Sequence, residues 1–115
     1  MGTSRFLKEQ DSKIQIIGVQ PEDGSQIPGI RKWPEEYMPT IYNAKNIDEL
    51  IYVSQSNAEK TTRRLASEEG IFAGVSSGGA LYAALQISKQ VENAVIVSIV
   101  CDRGDRYLST GIFPS

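Results

Sequence analysis

The single cysteine of this chain follows its most apolar run. Residues 94–100 read Ala-Val-Ile-Val-Ser-Ile-Val, and Cys101 comes next, ahead of a charged, glycine-containing turn at residues 102–106. Ligands of α/β proteins collect beyond the carboxyl ends of parallel strands. Because the run predicts a strand over residues 93–100, the sequence places a candidate pocket at Cys101. The alternative interpretation is an inert thiol beside a solvated loop whose charges pair locally.

A glycine- and serine-rich segment is the second candidate. Residues 74–79 read Gly-Val-Ser-Ser-Gly-Gly and precede a predicted helix over residues 80–89. Free N–H groups at a helix N-terminus favour a carboxylate, a phosphate or the electron-rich edge of a ring. The segment does not match the glycine patterns of dinucleotide or P-loop sites. A structural alternative is an N-cap at Ser77, with small residues that allow close helix packing.

A basic and aromatic loop is the third candidate. Arg31, Lys32 and Trp33 lie between Pro28 and Pro34. Two cations beside an aromatic ring can hold a small anion. The same residues also suit a loop in which the tryptophan packs and the charges stay in water, and the residues alone leave both interpretations open.

Composition excludes several kinds of chemistry. The chain has no histidine and one cysteine. Catalytic pairs of histidine with serine or cysteine, histidine-ligated metals and an internal disulfide are therefore excluded, and a cysteine-based zinc site nearly so. Any catalysis must use carboxylates, lysines, hydroxyls, the thiol or a bound cofactor.

Length and charge predict an ordinary globular protein. With 115 residues we expect one domain, and 12 basic against 14 acidic residues give a net charge of -2. This balance gives no reason to expect nucleic acid or an anionic membrane as a partner. The sequence shows neither a membrane-spanning apolar stretch nor a signal-peptide pattern, so we expect a soluble, cytoplasmic protein.

The order of predicted elements indicates the fold class. The first nine residues resemble the end of a helix, and strands are predicted over residues 13–20 and 47–53, separated by a long structured loop over residues 25–46. A helix capped by Ser54 or Ser56 is expected to run to about Glu69. Gly70 then stops it. Its expected apolar side comprises Ala58, Thr61, Leu65 and Ala66. The order β, β, α, α, β predicts an α/β domain with at least one parallel crossover.

Taken together, four segments closely resemble the cysteine synthase family, in particular its B-type O-acetylserine sulfhydrylases. They are Gln20-Pro21-Glu22, Ile27-Pro28-Gly29-Ile30, residues 69–80 and residues 101–111. The resemblance covers essentially the whole chain with its spacing kept, and it corresponds to the C-terminal part of the enzyme. We therefore expect residues 1–115 to be a single partial domain, the C-terminal part of the large cofactor-binding domain.

The resemblance implies a fold, a cofactor and a reaction. These are fold-type II enzymes with a three-layer, twisted, mostly parallel α/β sheet and helices on both faces, incomplete in this chain. They use pyridoxal 5'-phosphate to replace the acetate of O-acetylserine with sulfide or thiosulfate, giving cysteine or S-sulfocysteine. The full-length enzyme is expected to be a homodimer with small-molecule substrates and no nucleic-acid or membrane partner.

Site residues follow from the same resemblance. Cys101 would face the pyridine nitrogen as a neutral partner, which does not enforce protonation of the ring. Cofactor and substrate would be lined by Gly74, Ser76 and Ser77. The entrance for the sulfur donor would be bordered by Arg31, Lys32 and Trp33. Lys32 stands where a second arginine is common, so the charge is kept but the bidentate fork is lost.

The resemblance also implies that parts of the site are absent from the chain. None of its six lysines stands in the sequence context of the family's Schiff-base lysine, so we expect no catalytic residue here and an inactive isolated chain. The phosphate-binding loop would precede Met1, and apolar surface should be left exposed. The alternatives are a non-catalytic interaction or regulatory module, or a small anion-binding α/β domain that uses the helix after Gly79.

Overall fold

The computed structural model describes residues 2–24, 27–28, 30 and 44–111. Within these ranges the chain forms three α-helices, two β-strands and two short 3-10 helices. In chain order they are α1 (Gly2–Gln10), β1 (Ile17–Pro21), a 3-10 helix (Ala44–Asn46), β2 (Glu49–Val53), α2 (Gln55–Glu69), α3 (Val75–Ser88) and a second 3-10 helix (Gly104–Thr110). The predicted helical character of the first nine residues is confirmed by α1.

The two strands form a parallel pair. Ile17 lies opposite Glu49, and Pro21 lies opposite Val53, so the carboxyl ends of β1 and β2 meet at one edge. Both strands begin later than the sequence predicts. The α/β class with a parallel sheet is confirmed, and the described residues contain two strands of that sheet. Within the predicted long loop, Ile27 and Ile30 form an isolated antiparallel bridge.

An acidic side chain connects α1 to the start of the sheet. Asp48 lies 2.7 Å from Lys8 Nζ and accepts the Ile16 N–H at 2.6 Å. The hydrogen bond from Lys8, followed by that from the Ile16 N–H, lowers the pKa of the Asp48 carboxyl below its ordinary value. The pair is partly exposed, so it orients these elements more than it stabilises them.

Helix α2 ends as its sequence predicts. Ser54 is the N-cap, and its side chain accepts the Asn57 N–H at 3.1 Å. Gly70 is the C-cap in the left-handed region, with φ of 69°. Ala58, Thr61 and Leu65 of the expected inner face are buried, whereas Ala66 is only partly buried.

Helix α3 begins at Val75, five residues earlier than predicted. Gly74 is its N-cap, and no side chain caps it, so neither the predicted start nor the alternative cap at Ser77 is correct. The reason is packing against α2. A Cβ at Gly78 would overlap Thr62 Oγ1 and lie 2.5 Å from the Ala58 carbonyl oxygen. Burial of the small residues in the first turn holds them in a helix that their weak intrinsic propensity does not favour.

The hydrophobic core lies where the sheet meets α2 and α3. Its buried members are Ile27, Val53, Ala58 and Val75. Val19, Ile30, Ile51, Tyr82 and Tyr107 pack around them. Full burial of a valine such as Val53 or Val75 stabilises the fold by roughly 1.5–3 kcal/mol. This small core therefore holds the sheet against the helices.

The predicted strand over residues 93–100 is not part of a sheet in the described structure. Val95 is 92% exposed and Val97 is 81% exposed. The prediction of a strand here is wrong for the described residues, because a strand needs a neighbour for its backbone groups and none of those residues supplies one. The expected exposure of apolar surface is confirmed.

Candidate functional site

Cys101 lies beside two serines from the first turn of α3. Its Sγ is 3.0 Å from Ser76 Oγ and 3.8 Å from Ser77 Oγ. The Cys101 N–H donates to Ser77 Oγ at 3.1 Å. Both serines are buried, whereas the cysteine is exposed. The thiol and the hydroxyls thus form one polar cluster with the sulfur on its open side.

Asp102 joins this cluster to the turn that follows it. Its Oδ1 accepts the Gly74 N–H at 3.0 Å and the Ser77 hydroxyl at 2.7 Å. Its Oδ2 accepts the Tyr107 hydroxyl at 2.7 Å. A Cβ at position 74 would overlap both the Asp102 carboxyl and the Tyr107 ring, so this approach requires glycine. The carboxylate therefore holds the segment after Cys101 against the start of α3.

The hydrogen bonds also decide the charge of Asp102. Burial acts to raise the pKa of this carboxyl, but bonds from the Ser77, Tyr107 and Ser76 hydroxyls and the Gly74 N–H together hold it below its ordinary value. Asp102 is therefore ionised at neutral pH and can only accept hydrogen bonds. Its negative charge lies at the positive end of the α3 dipole.

The sequence interpretation of the turn at residues 102–106 is correct in one part and wrong in another. Arg103 Nε lies 3.3 Å from Asp105 Oδ1, and both side chains are exposed, as expected of a surface loop whose charges pair locally. Asp102, by contrast, is not a solvated loop charge, because it bonds to Gly74, Ser77 and Tyr107. Sequence reasoning missed it as a site residue, although its place directly after Cys101 and the donor-rich segment at residues 74–77 were available signals.

The predicted site residues fall into two groups. Gly74, Ser76, Ser77 and Cys101 are brought together, although 24 or more residues separate the cysteine from the others. Arg31, Lys32 and Trp33 lie outside the described residues. The alternative of an anion site at a helix that begins after Gly79 does not match the described structure. The helix starts at Val75, and an internal carboxylate already lies at its N-terminus.

The cluster combines a thiol, two hydroxyls and a carboxylate. The Cys101 thiol at its open side can donate or accept a weak hydrogen bond. Among the described residues, no group of three or more potential metal-ligating side chains comes together. In the same part of the chain, no helix has both the length and the apolar character needed to cross a bilayer.

Comparison with known proteins gives consistent similarities. The model of the family described as pyridoxal-phosphate dependent enzyme matches residues 1–102. Cysteine synthase B of Pseudomonas aeruginosa is 59% identical over 113 residues, which are 98% of this chain and 38% of that protein. Cysteine synthase B of Salmonella typhimurium is 58% identical over 112 residues, or 97% of this chain and 37% of that protein.

A solved structure extends the similarity to the fold. The crystal structure of cysteine synthase from Entamoeba histolytica superimposes with a TM-score of 0.87 at 34% sequence identity. The match covers 96% of this chain and 36% of that one. The chain thus spans well under half the length of these relatives.

Proposed function

The chain belongs to the family of pyridoxal-phosphate dependent enzymes, and from this premise we propose that it supplies one wall of the active site of a cysteine-producing enzyme. Residues 1–115 would be a single partial domain of its large cofactor-binding part. The proposed reaction replaces the acetate of O-acetylserine with sulfide or thiosulfate. High identity to proteins named cysteine synthase B supports the product cysteine.

The observation that carries the proposal is the exposed Cys101 thiol beside Ser76, 3.0 Å away at the start of α3. Bound pyridoxal 5'-phosphate would supply the electron sink that lets the substituent of the amino acid leave. In our proposal Cys101 faces the pyridine nitrogen as a neutral partner. Gly74, Ser76 and Ser77 line the cofactor and the substrate.

Other parts of the proposal concern residues and partners beyond this cluster. Arg31, Lys32 and Trp33 would border the entrance of the sulfur donor, where their charges attract an anion. The full-length enzyme would be a cytoplasmic homodimer that acts on small molecules, without nucleic-acid or membrane partners. The chain by itself would be inactive, because none of its lysines stands in the sequence context of a cofactor-binding lysine.

A chimeric enzyme tests the function. This chain replaces the corresponding 113 residues of the Pseudomonas aeruginosa cysteine synthase B, and cysteine or S-sulfocysteine formation is measured with sulfide and with thiosulfate. We expect activity with O-acetylserine. A chimera that folds and binds the cofactor but forms neither product would contradict the proposal and favour the non-catalytic interaction module.

Two substitutions in the chimera test the role of Cys101. Cys101→Ser keeps a neutral partner and should retain most of kcat. Cys101→Asp introduces a charge that favours a protonated ring, and we expect kcat to fall about tenfold or more, equivalent to ~1.4 kcal/mol in the barrier. Equal kcat values for the two variants would show that Cys101 does not face the ring nitrogen.

A further inference from the structure

The Ser77 hydroxyl has one proton and three polar neighbours. Its Oγ lies 2.7 Å from Asp102 Oδ1, 3.1 Å from the Cys101 nitrogen and 3.8 Å from Cys101 Sγ. The backbone N–H can only donate, so Ser77 accepts from it. The ionised carboxylate can only accept, so the serine proton goes to Asp102. No proton of Ser77 then remains for the sulfur.

We propose that Asp102 is a positioning residue that, by taking the Ser77 proton, prevents this hydroxyl from donating to the Cys101 sulfur. The other serine hydroxyl near the sulfur, that of Ser76, lies 3.0 Å from it. A hydroxyl proton given to sulfur stabilises the thiolate, whereas a neutral thiol keeps its own proton to donate on the open side. The inference rests on the proposed function in one respect: the group that meets the Cys101 thiol is taken to be the pyridine nitrogen of the cofactor.

Two observations show that this arrangement is firmly held. The carboxylate also accepts the Gly74 N–H and the Tyr107 hydroxyl, so both of its oxygens are engaged and it cannot easily turn away. Ser77 is 1% exposed, so water does not compete for its proton. A charge-assisted bond of this length is also stronger than a bond to sulfur.

Alkylation of the full chain by iodoacetamide, followed by mass spectrometry without cofactor, tests the inference. The sequence has one cysteine, and it is exposed, so the rate reports one thiol whose access is not limiting. Asp102→Asn and Asp102→Ala remove the same charge, but asparagine keeps an oxygen for Ser77. We expect the alanine variant to react about threefold to tenfold faster than the asparagine variant, as one additional hydrogen bond to sulfur would give.

The same comparison in a Ser77→Ala background isolates the hydroxyl. There the two Asp102 variants should react at equal rates, because the Ser77 proton that Asp102 would redirect is absent. Tyr107→Phe is the matched control. It removes the bond to Asp102 Oδ2 and leaves the Ser77 bond to Oδ1, so its rate should lie closer to that of the unaltered chain than to that of Asp102→Ala.

Two outcomes would overturn the inference: equal rates for the alanine and asparagine variants, or a difference that persists in the Ser77→Ala background. Circular dichroism checks the folding of each variant. If Asp102→Ala unfolds, Asp102→Ser takes its place, because its side chain is too short to reach Ser77. The alkylation experiment contains no cofactor, so a negative result there would not contradict the proposed function. An inactive chimera would likewise not change the alkylation rates.

Discussion

At the scale of single residues, Asp102 contributes to stability as well as to the site. Its carboxylate accepts hydrogen bonds from Gly74, Ser77 and Tyr107 in the folded chain, and an unfolded chain lacks them. The same contacts lower its pKa. Stability and site geometry therefore depend on the same ionised group, and a change of pH affects both.

This dependence gives a prediction about pH. The folded-state pKa of Asp102 lies below that of the unfolded chain, which is about 3.9. Its contribution to stability is thus fully present above pH about 5 and is lost as the pH falls through the folded-state pKa. We expect the free energy of unfolding to differ between the unaltered chain and Asp102→Asn at pH 7 and the two values to converge progressively as the pH falls below about 4.

Urea unfolding at several pH values measures this convergence. Asp48→Asn is a useful comparison, because the pKa of Asp48 is also lowered. The partner of Asp48 is Lys8 in α1. In the Asp48→Asn background the effect of Asp102→Asn should keep the same pH dependence. A difference between the two chains that stays constant from pH 7 to pH 3 would exclude the ionised form of Asp102 as the stabilising group.

At the scale of elements, the contact between α2 and α3 determines where the second helix starts. Thr62 is fully buried, and its hydroxyl donates to the Ala58 carbonyl oxygen at 2.7 Å. Gly78 leaves the space that this hydroxyl and carbonyl occupy. The helices approach closely only because position 78 has no side chain, and this approach brings Ser76 and Ser77 to Cys101.

A substitution at Gly78 tests the importance of this approach. Gly78→Ala should lower the free energy of unfolding by about 1–3 kcal/mol, because the added methyl group meets backbone that cannot move aside easily. Gly2→Ala in α1 is the matched control. Its Cβ would have nothing within 4 Å, so we expect little change or a gain of up to about 1 kcal/mol. Equal unfolding midpoints in urea for the two variants would contradict this account.

At the scale of the whole molecule, the exposed apolar run at residues 94–100 is the main departure from an ordinary globular surface. Val95, Val97 and Ile99 are 92%, 81% and 68% exposed. Contiguous apolar surface of this kind marks a place where other protein packs, or a site of aggregation. We therefore expect the chain to associate with itself when no other protein covers this run.

Two added charges test that expectation. Val95→Glu with Val97→Glu should lower the average mass measured by sedimentation toward that of one 12.6 kDa chain, and should reduce binding of an apolar dye. Thr3→Glu with Ser56→Glu is the control. Both pairs change the formal net charge from -2 by two units, and the control pair lies at exposed polar positions. If both pairs lower the mass equally, net charge rather than the run controls association.

Features that depend on nearby residues were predictable from the sequence. The sequence predicts Ser54 or Ser56 as the N-cap of α2 and Gly70 as its C-cap, and the structure confirms Ser54 and Gly70. The cysteine synthase resemblance rested on short segments and on their spacing, and membership of the pyridoxal-phosphate dependent enzyme family is confirmed by comparison. The roles of Arg31, Lys32 and Trp33 stay predictions.

The sequence by itself therefore determined the family, the α/β class and the capped ends of α2. Only the tertiary structure decided that α3 starts at Val75, that residues 94–100 lack a strand neighbour among the described residues, and that Asp102 organises the cluster around Cys101. The physical reason is the sequence distance of the contacts. Gly74 and Asp102 are 28 residues apart, and local propensity and spacing carry no information about which donor meets which acceptor across such a separation.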